Sequence, residues 1–279
     1  ITLTVNKGDI YGIIGTSGAG KSTLLRLMNL LEVPTEGAVF VNNQELTSLK
    51  PKALREARKS IGMIFQHFNL VANYTVYKNV EIGLELANVP KKERKQRVNE
   101  CLQFVGLEKY INSYPAHLSG GQKQRLGIAR AVACNPKMII ADEPVSALDL
   151  SVQAQVLNFM KDIQEQYGNS DLFISHDLGV VRHMCDHISI MYKGRFVETG
   201  DREDIYTNPQ HIYTNRLLSA IPDISPETRI ERKVERQKVE AKYREEQHKY
   251  YDKDGKVYPL KAVSDTHQVA MSEDEKERV

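Results

Sequence analysis

Short apolar runs alternate along this chain with stretches of helical periodicity. The runs have the length of buried strands and lie at residues 10–14, 37–41, 61–65, 138–141, 172–175 and 187–191. Residues 21–31 and 150–167 repeat their apolar positions at helical spacing, and Gly168 is placed to end the second of these helices. Strands that alternate with helices predict an α/β fold with a mostly parallel sheet. Residues 1–5 alternate like a strand already in progress, so we expect chain to precede Ile1 in the natural protein.

The strand pattern disappears between about residues 68 and 134. Val80 and Leu84, and later Val98 and Leu102, recur there at helical spacing. We interpret the segment as a helical subdomain inserted into a sheet domain that spans residues 1–222.

A charged extension follows, over residues 223–279, with 13 Lys or Arg and 14 Asp or Glu. Glu240 and Arg244 stand four positions apart, as in an exposed helix supported by side-chain ion pairs. We expect the extension to be partly helical or disordered, with a loosely held tail from Tyr250 onward. Its balanced charge argues against a polybasic membrane anchor.

Composition places the chain among ordinary globular proteins, with 41% hydrophobic and 27% charged residues and a net charge of +2. No stretch reaches the roughly 20 apolar residues that cross a bilayer, so work at a membrane would need another subunit. Cys101, Cys134 and Cys185 lie far apart in sequence, which favours small buried side chains over a metal cluster. An odd number of cysteines without a signal peptide fits a reducing cytosol.

The segment between the first predicted strand and helix fits G-x-x-x-x-G-K-[ST], the phosphate-binding P-loop pattern. The matching residues are Gly15, Thr16, Ser17, Gly18, Ala19, Gly20, Lys21 and Ser22, with Thr23 next in the helix. Glycines let backbone N–H groups close around phosphate, and the start of the helix adds partial positive charge. Lys21 is predicted to reach the β- and γ-phosphates of ATP, and the Ser22 hydroxyl to bind Mg²⁺. The alternative, a plain glycine-rich turn, is disfavoured by the strand–helix context.

Two acids end the apolar run at residues 138–141. Asp142 is placed to hold Mg²⁺ through water, and Glu143 to act as the general base that polarises water against the γ-phosphate. The alternative is a solvated strand end before a turn at Pro144. The P-loop pattern earlier in the chain favours the functional interpretation.

The run Leu118-Ser119-Gly120-Gly121-Gln122 resembles the LSGGQ signature of ATP-binding cassette (ABC) proteins. The resemblance implies a P-loop NTPase of the ABC type, in which this helix start contacts the γ-phosphate bound by the opposite subunit. Two cassettes then enclose two ATP molecules. The alternative is simple helix capping by Ser119.

Three further residues are similar to landmarks of that family. Gln66 matches the Q-loop glutamine, which the resemblance implies touches Mg²⁺ and senses the permease. Asp149 ends a Ser-Ala-Leu-Asp run like the D-loop that crosses the dimer interface. His176 matches the switch histidine that contacts the γ-phosphate. The aromatic residue that stacks on adenine in the family precedes the P-loop by about two dozen residues. Only 14 residues precede Gly15 in this sequence, so that position lies outside it.

The two halves of the chain resemble different importers. Residues 1 to about 130 are similar to methionine importer ATPases, and residues from about 135 to oligopeptide or dipeptide importer ATPases. The resemblance implies a peripheral ATPase at the cytoplasmic face of the cell membrane. Its partners are then a second cassette, a membrane permease and, indirectly, an extracytoplasmic solute-binding protein. We favour peptide import slightly over methionine import. A non-transport cassette or a small-molecule kinase is the alternative, and no basic stripe with aromatics predicts a nucleic-acid partner.

Overall fold

The computed structural model describes residues 1–221 and 229–272. Among these residues the strands are β1 (Ile10–Ile14), β2 (Phe40–Val41), β3 (Gln44–Glu45), β4 (Ile61–Ile64), β5 (Met138–Asp142), β6 (Ser170–Ser175), β7 (His187–Tyr192), β8 (Arg195–Asp201), β9 (Leu260–Ala262) and β10 (Gln268–Ala270). The α-helices are α1 (Lys21–Met28), α2 (Pro51–Arg58), α3 (Val76–Leu86), α4 (Lys91–Phe104), α5 (Gly120–Val132), α6 (Leu150–Tyr167), α7 (Leu178–Met184), α8 (Arg202–Thr207), α9 (Ile212–Ser219) and α10 (Arg229–Glu246).

The chain divides into two compact units. The first, here the C-terminal unit, comprises residues 1–4 and 10–21 together with the chain from Ser175 onward. The second, here the helical unit, comprises residues 5–9 and 22–174. In the part of the chain that the structure describes, no helix has the length and apolar character needed to cross a membrane.

Parallel strands form the centre of the helical unit. β5 pairs with β4 on one side and with β6 on the other, so that Asp142 lies in register with Ile174. The strand interiors are apolar and buried because helices pack over them. Helix α5 lies close on β4, since a Cβ at Gly62 would come 2.7 Å from the carbonyl oxygen of Ala131.

In the C-terminal unit, β1 pairs with β7 in parallel, and β7–β8, β8–β10 and β10–β9 pair antiparallel. Helix α7 packs on β1 so closely that a Cβ at Gly12 would lie 2.8 Å from Val181 Cγ1. The segments β9 and β10 extend the sheet that carries β1. Tyr251, Val257 and Val269, which follow Tyr250, are therefore part of the packed core of this unit.

Several sequence predictions are confirmed as secondary structure. Strand β1 and helix α6 have the predicted bounds, and Gly168 ends α6 with a left-handed φ of 60°. Helices α3, α4 and α5 lie in the stretch predicted to be helical. Cys101 and Cys185 are buried as predicted, whereas Cys134 is only half-buried, and burial raises the pKa of the Cys101 thiol to about 11.

Other predictions are wrong. Residues 1–5 form no strand, and the strand predicted at 37–41 is reduced to the two residues of β2. The loosely held tail expected after Tyr250 is instead ordered through residue 272, because Tyr251, Val257 and Val269 are buried. The predicted boundary at Pro222 lies outside the described residues.

Candidate functional site

The loop between β1 and α1 has the backbone of a phosphate cradle. Gly18 and Gly20 adopt left-handed φ values of 80° and 105°, which side chains with a Cβ rarely adopt. Gly15 is required for a close approach, because a Cβ there would lie 2.5 Å from the carbonyl oxygen of Met191. Residues 16–18 are exposed, so the backbone of the loop is open to a ligand. These observations fit a bound phosphate group.

Lys21 is held against the beginning of this loop. Its Nζ donates to the carbonyl oxygens of Gly15 at 2.7 Å and Thr16 at 3.2 Å, and the residue is only 7% exposed. The ammonium group is therefore positioned by the loop itself. Ser22 and Thr23 follow in the first turn of α1 with exposed side chains.

The other side of the loop rests on residues that the sequence did not single out. The backbone N–H of Gly194, in the turn between β7 and β8, donates to the carbonyl oxygen of Ala19 at 2.8 Å. The hydroxyl of Tyr213, in α9, lies 3.3 Å from the backbone N of Thr16 and 3.1 Å from its Oγ1. No local pattern near residue 213 signals this contact, since the two residues stand 197 positions apart.

Asp142 and Glu143 lie together at the end of β5, both half-buried. Glu143 has a left-handed φ of 45°, which is uncommon for a residue with a side chain and is frequent at functional sites. Its backbone N–H donates to the carbonyl oxygen of Ile174 at 2.9 Å, and its own carbonyl accepts from Ser146 Oγ at 3.0 Å. The buried Pro144 and Val145 follow. These hydrogen bonds and the buried residues that follow hold Glu143 in its strained backbone conformation.

The signature residues form an exposed helix start. Ser119 caps α5 by accepting from the backbone N–H of Gln122 at 3.3 Å, and the Gln122 side chain accepts from the Ser119 N–H at 2.8 Å. This reciprocal arrangement is a capping box. Gly120 is exposed, whereas Gly121 packs on α6, since a Cβ there would lie 2.5 Å from Val152 Cγ1. Capping and anion binding are compatible here, because the first turn of α5 contains no acidic residue.

Gln66 lies half-buried, two residues after β4, and the loop that follows it is anchored to α5. Phe68 and Asn69 have left-handed φ values of 63° and 48°. The Arg130 guanidinium, in the last turn of α5, donates to their carbonyl oxygens at 2.9 and 2.5 Å. Burial lowers the pKa of Arg130 from its usual value. Sequence reasoning missed Arg130, because a lone arginine in a helix has no distinctive pattern.

The two remaining predicted residues are exposed. Asp149 stands at the N-cap position of α6 beside Leu150, whose exposed fraction is 83%. His176 follows β6 directly, and next to it Asp177 caps α7 by accepting from Gly179 N–H at 2.8 Å.

Within the helical unit the structure therefore brings together several predicted residues. Asp142 and Glu143 adjoin at one strand end, and the signature glycines pack on Leu148 and Val152, which flank Asp149. In the C-terminal unit it brings Lys21 onto the first two residues of its own loop. The individual roles of these residues remain predictions.

Comparison with known proteins identifies the family. Residues 1–146 match the family described as ABC transporter, and residues 197–258 match the family described as oligopeptide/dipeptide transporter, C-terminal region. The chain belongs to the ABC transporter family. As an ABC ATPase it binds nucleotide, in agreement with the cradle formed by residues 15–21.

Two groups of relatives are similar to this ABC ATPase. The oligopeptide transport ATP-binding protein OppF of Lactococcus lactis is 47% identical over 275 residues, covering 97% of the chain and 86% of the relative. The methionine import ATP-binding protein MetN 2 of Bacillus cereus is 50% identical over 229 residues, covering 82% of the chain and 68% of the relative. The predicted likeness to both importer groups is confirmed.

Solved structures show the same fold. The ATP-binding cassette MJ0796, in a dimeric post-hydrolysis state bound to ADP and Pi, has a TM-score of 0.66 and 36% identity, covering 72% of this chain and 88% of its own. The protein cbiO1 of Clostridium perfringens, part of the ABC transporter complex cbiONQ, has a TM-score of 0.69 and 28% identity over 78% and 86%. The predicted α/β cassette fold is confirmed.

Proposed function

We propose that this ABC importer ATPase powers the uptake of oligopeptides through a separate membrane permease at the cytoplasmic face of the cell membrane. The match of residues 197–258 to the C-terminal region of oligopeptide and dipeptide transporters carries the proposal. That region includes the last five residues of β8 and all of α8, α9 and α10, which belong to the C-terminal unit. An extracytoplasmic solute-binding protein would deliver the peptide to the permease.

The nucleotide roles are proposed residue by residue. The proposed ATP ligands are Gly15, Thr16, Ser17, Gly18, Ala19, Gly20, Lys21, Ser22, Thr23, Gln66, Ser119, Gly120, Gly121, Gln122 and Asp149. Lys21 neutralises phosphate charge from a position already set by two loop carbonyls. The residues 119–122 and Asp149 are assigned to the ATP of a second cassette, which the exposed helix start supports.

Ser22, Gln66 and Asp142 are proposed to hold Mg²⁺. They offer a hydroxyl, an amide and a carboxylate oxygen, the kind of hard donor that Mg²⁺ prefers, and a single carboxylate suits an ion that keeps several waters. When bound, the ion neutralises charge on the phosphate oxygens.

Glu143 and His176 are proposed as catalytic residues. Glu143 accepts a proton from water, and the hydrogen bonds that its backbone makes with Ile174 and Ser146 fix the position of that backbone at the end of β5. His176 donates to a γ-phosphate oxygen from its exposed position after β6. Positioning and charge neutralisation supply most of the rate enhancement in phosphoryl transfer.

The proposal is tested by co-expressing the tagged chain with a peptide-type permease or a methionine-type permease and measuring both capture and uptake. We expect the peptide permease to co-purify and labelled oligopeptide to accumulate. A Glu143→Gln variant is the matched control, because it should assemble equally well yet support no uptake. Capture of neither permease would contradict the proposal.

Methionine import is the second candidate, because the relative with that name is 50% identical over 229 residues. This candidate predicts capture of the methionine-type permease and methionine uptake that peptides do not inhibit. Either pattern of capture, with matching uptake, decides between the two.

A further inference from the structure

Tyr213 is a side chain from the region after β8 that reaches the phosphate loop. The residue is 2% exposed, and its hydroxyl oxygen accepts from the backbone N–H of Thr16 while sharing a second hydrogen bond with Thr16 Oγ1. The carbonyl oxygens of Thr16 and Gly15 are the acceptors that hold Lys21 Nζ. The Tyr213 hydroxyl therefore restrains the peptide segment to which the phosphate-binding lysine is anchored.

The ring of Tyr213 is fixed by other aromatic residues. It packs on Tyr192 with ring centroids 4.6 Å apart, and Tyr192 packs on Tyr251 at 5.4 Å. Tyr192 directly follows Met191, whose carbonyl oxygen sets the close approach to Gly15. The start of the loop therefore lies against the Met191 backbone and is hydrogen-bonded to Tyr213, and both of these neighbours adjoin Tyr192.

A buried carboxylate fixes the start of α9, the helix that carries Tyr213. Glu198, fully buried in β8, accepts from the backbone N–H of Gln210 at 2.7 Å and of His211 at 3.0 Å, and pairs with His267 Nε2 at 2.7 Å. His211 Nδ1 in turn accepts from the Tyr213 N–H at 3.1 Å. Burial lowers the pKa of His211 to about 3, so the ring is neutral and its Nδ1 can accept.

The far end of α9 is joined to the charged helix α10. Arg216 Nε pairs with Glu240 Oε2 at 2.8 Å, and the Arg216 guanidinium lies 4.6 Å from the centre of the Tyr243 ring. Arg236 Nε also donates to the carbonyl oxygen of Ser219 at 3.1 Å. The position of α9 consequently depends on the segments that follow it in the chain.

We propose that Tyr213 is a positioning residue for nucleotide binding, through which the C-terminal region after β8 controls the shape of the phosphate loop. The inference rests on the proposed role of residues 15–23 in binding ATP. Tyr213 contacts neither the attacking water nor the phosphates in this scheme. It holds Thr16, whose carbonyl oxygen is one of the two that position Lys21. The expected signature is weaker nucleotide binding with nearly unchanged turnover at saturating ATP.

The test is a Tyr213→Phe substitution, which removes the hydroxyl and retains the ring. Losing these neutral hydrogen bonds should raise the Kd for ATP about three- to tenfold, because each is worth a few-fold in an equilibrium constant. The kcat at saturating ATP should stay within about twofold of the wild-type value. Binding is measured by displacement of a fluorescent ATP analogue from the purified protein, alongside its unfolding temperature.

Tyr250→Phe is the matched control. Tyr250 lies in the same region, and its hydroxyl donates to the Gln210 carbonyl oxygen at 3.3 Å instead of reaching the loop. We expect its Kd for ATP to equal that of the wild type.

Two outcomes would overturn the inference: an unchanged Kd in Tyr213→Phe, or an equal rise in Tyr250→Phe that indicates general loosening. A Lys21→Ala variant separates the inference from the proposal beneath it. If Lys21→Ala binds ATP like the wild type, the phosphate-loop assignment itself fails. If Lys21→Ala loses binding while Tyr213→Phe keeps it, only the role of Tyr213 fails.

Discussion

Removal of the Glu198 carboxylate leaves three buried hydrogen-bond donors without an acceptor. They are the backbone N–H groups of Gln210 and His211 and the ring nitrogen of His267, all within 3.0 Å of its oxygens. Each unsatisfied buried donor costs about 1–3 kcal/mol, so three such donors cost about 3–9 kcal/mol. Water entering the space left by Glu198→Ala offsets part of the sum. We expect this variant to lower the free energy of unfolding by about 3–5 kcal/mol.

The assay is urea unfolding followed by the helical circular dichroism signal, because the chain contains no tryptophan. Glu56→Ala is the control, since Glu56 pairs with Lys59 at a similar 2.6 Å but its side chain is 62% exposed. Exposed pairs contribute less than about 1 kcal/mol. A loss in Glu198→Ala no greater than that of Glu56→Ala would refute the reasoning. Glu198→Gln, which retains an acceptor oxygen, should fall between the two.

Three further predictions concern the helical unit. Glu143→Gln should lower ATP turnover by ~10² or more while ATP binding persists, and MgATP should drive the variant into a dimer on size exclusion; an unchanged rate would remove Glu143 from its role. Burial raises the pKa of Asp171 to about 8, so the folded protein favours the protonated carboxyl group. The contribution of Asp171 to the free energy of unfolding is therefore complete below about pH 4 and is lost as the pH rises to about 8. The loss is at most about 1.4 kcal/mol per pH unit. Asp171→Asn should flatten this part of the pH profile of the unfolding temperature, and a profile that keeps its slope contradicts the assignment. Gly121→Ala places a Cβ 2.5 Å from Val152 Cγ1 and should cost about 1–3 kcal/mol in thermal unfolding, which Val152→Ala added to it should largely restore; failure of that rescue would mean that packing is not the reason for the glycine.

The elements that the sequence predicted well are those whose signals are local. Strand β5 is a continuous apolar run, and α6 combines one apolar face with a glycine stop at residue 168. Strand β8 was missed because Glu198 occupies a fully buried position in it. A carboxylate in an apolar run normally indicates a solvated segment. Its partner, His267, is 69 residues away in sequence, so the sequence alone does not show that the charge is satisfied.

The same distinction explains the tail and the site. The composition after Tyr250 suggests loose chain, yet a few residues such as Val257 and Val269 bury themselves against the sheet. Motif residues such as Lys21 could be predicted because their spacing is itself the signal. Tyr213 and Arg130 could not, because each acts through a backbone group that is remote in sequence.

Helix α5 connects the signature at its first turn to the loop after Gln66 at its last turn. Its 13 residues form a rod roughly 20 Å long at 1.5 Å per residue. Ser119 caps one end, and Arg130 at the other grips the loop that follows Gln66. A lever of that length converts a tilt of about 10° into roughly 3 Å of travel at the opposite end. We therefore expect a push on the signature to reach the loop after Gln66 through α5 and the single side chain of Arg130.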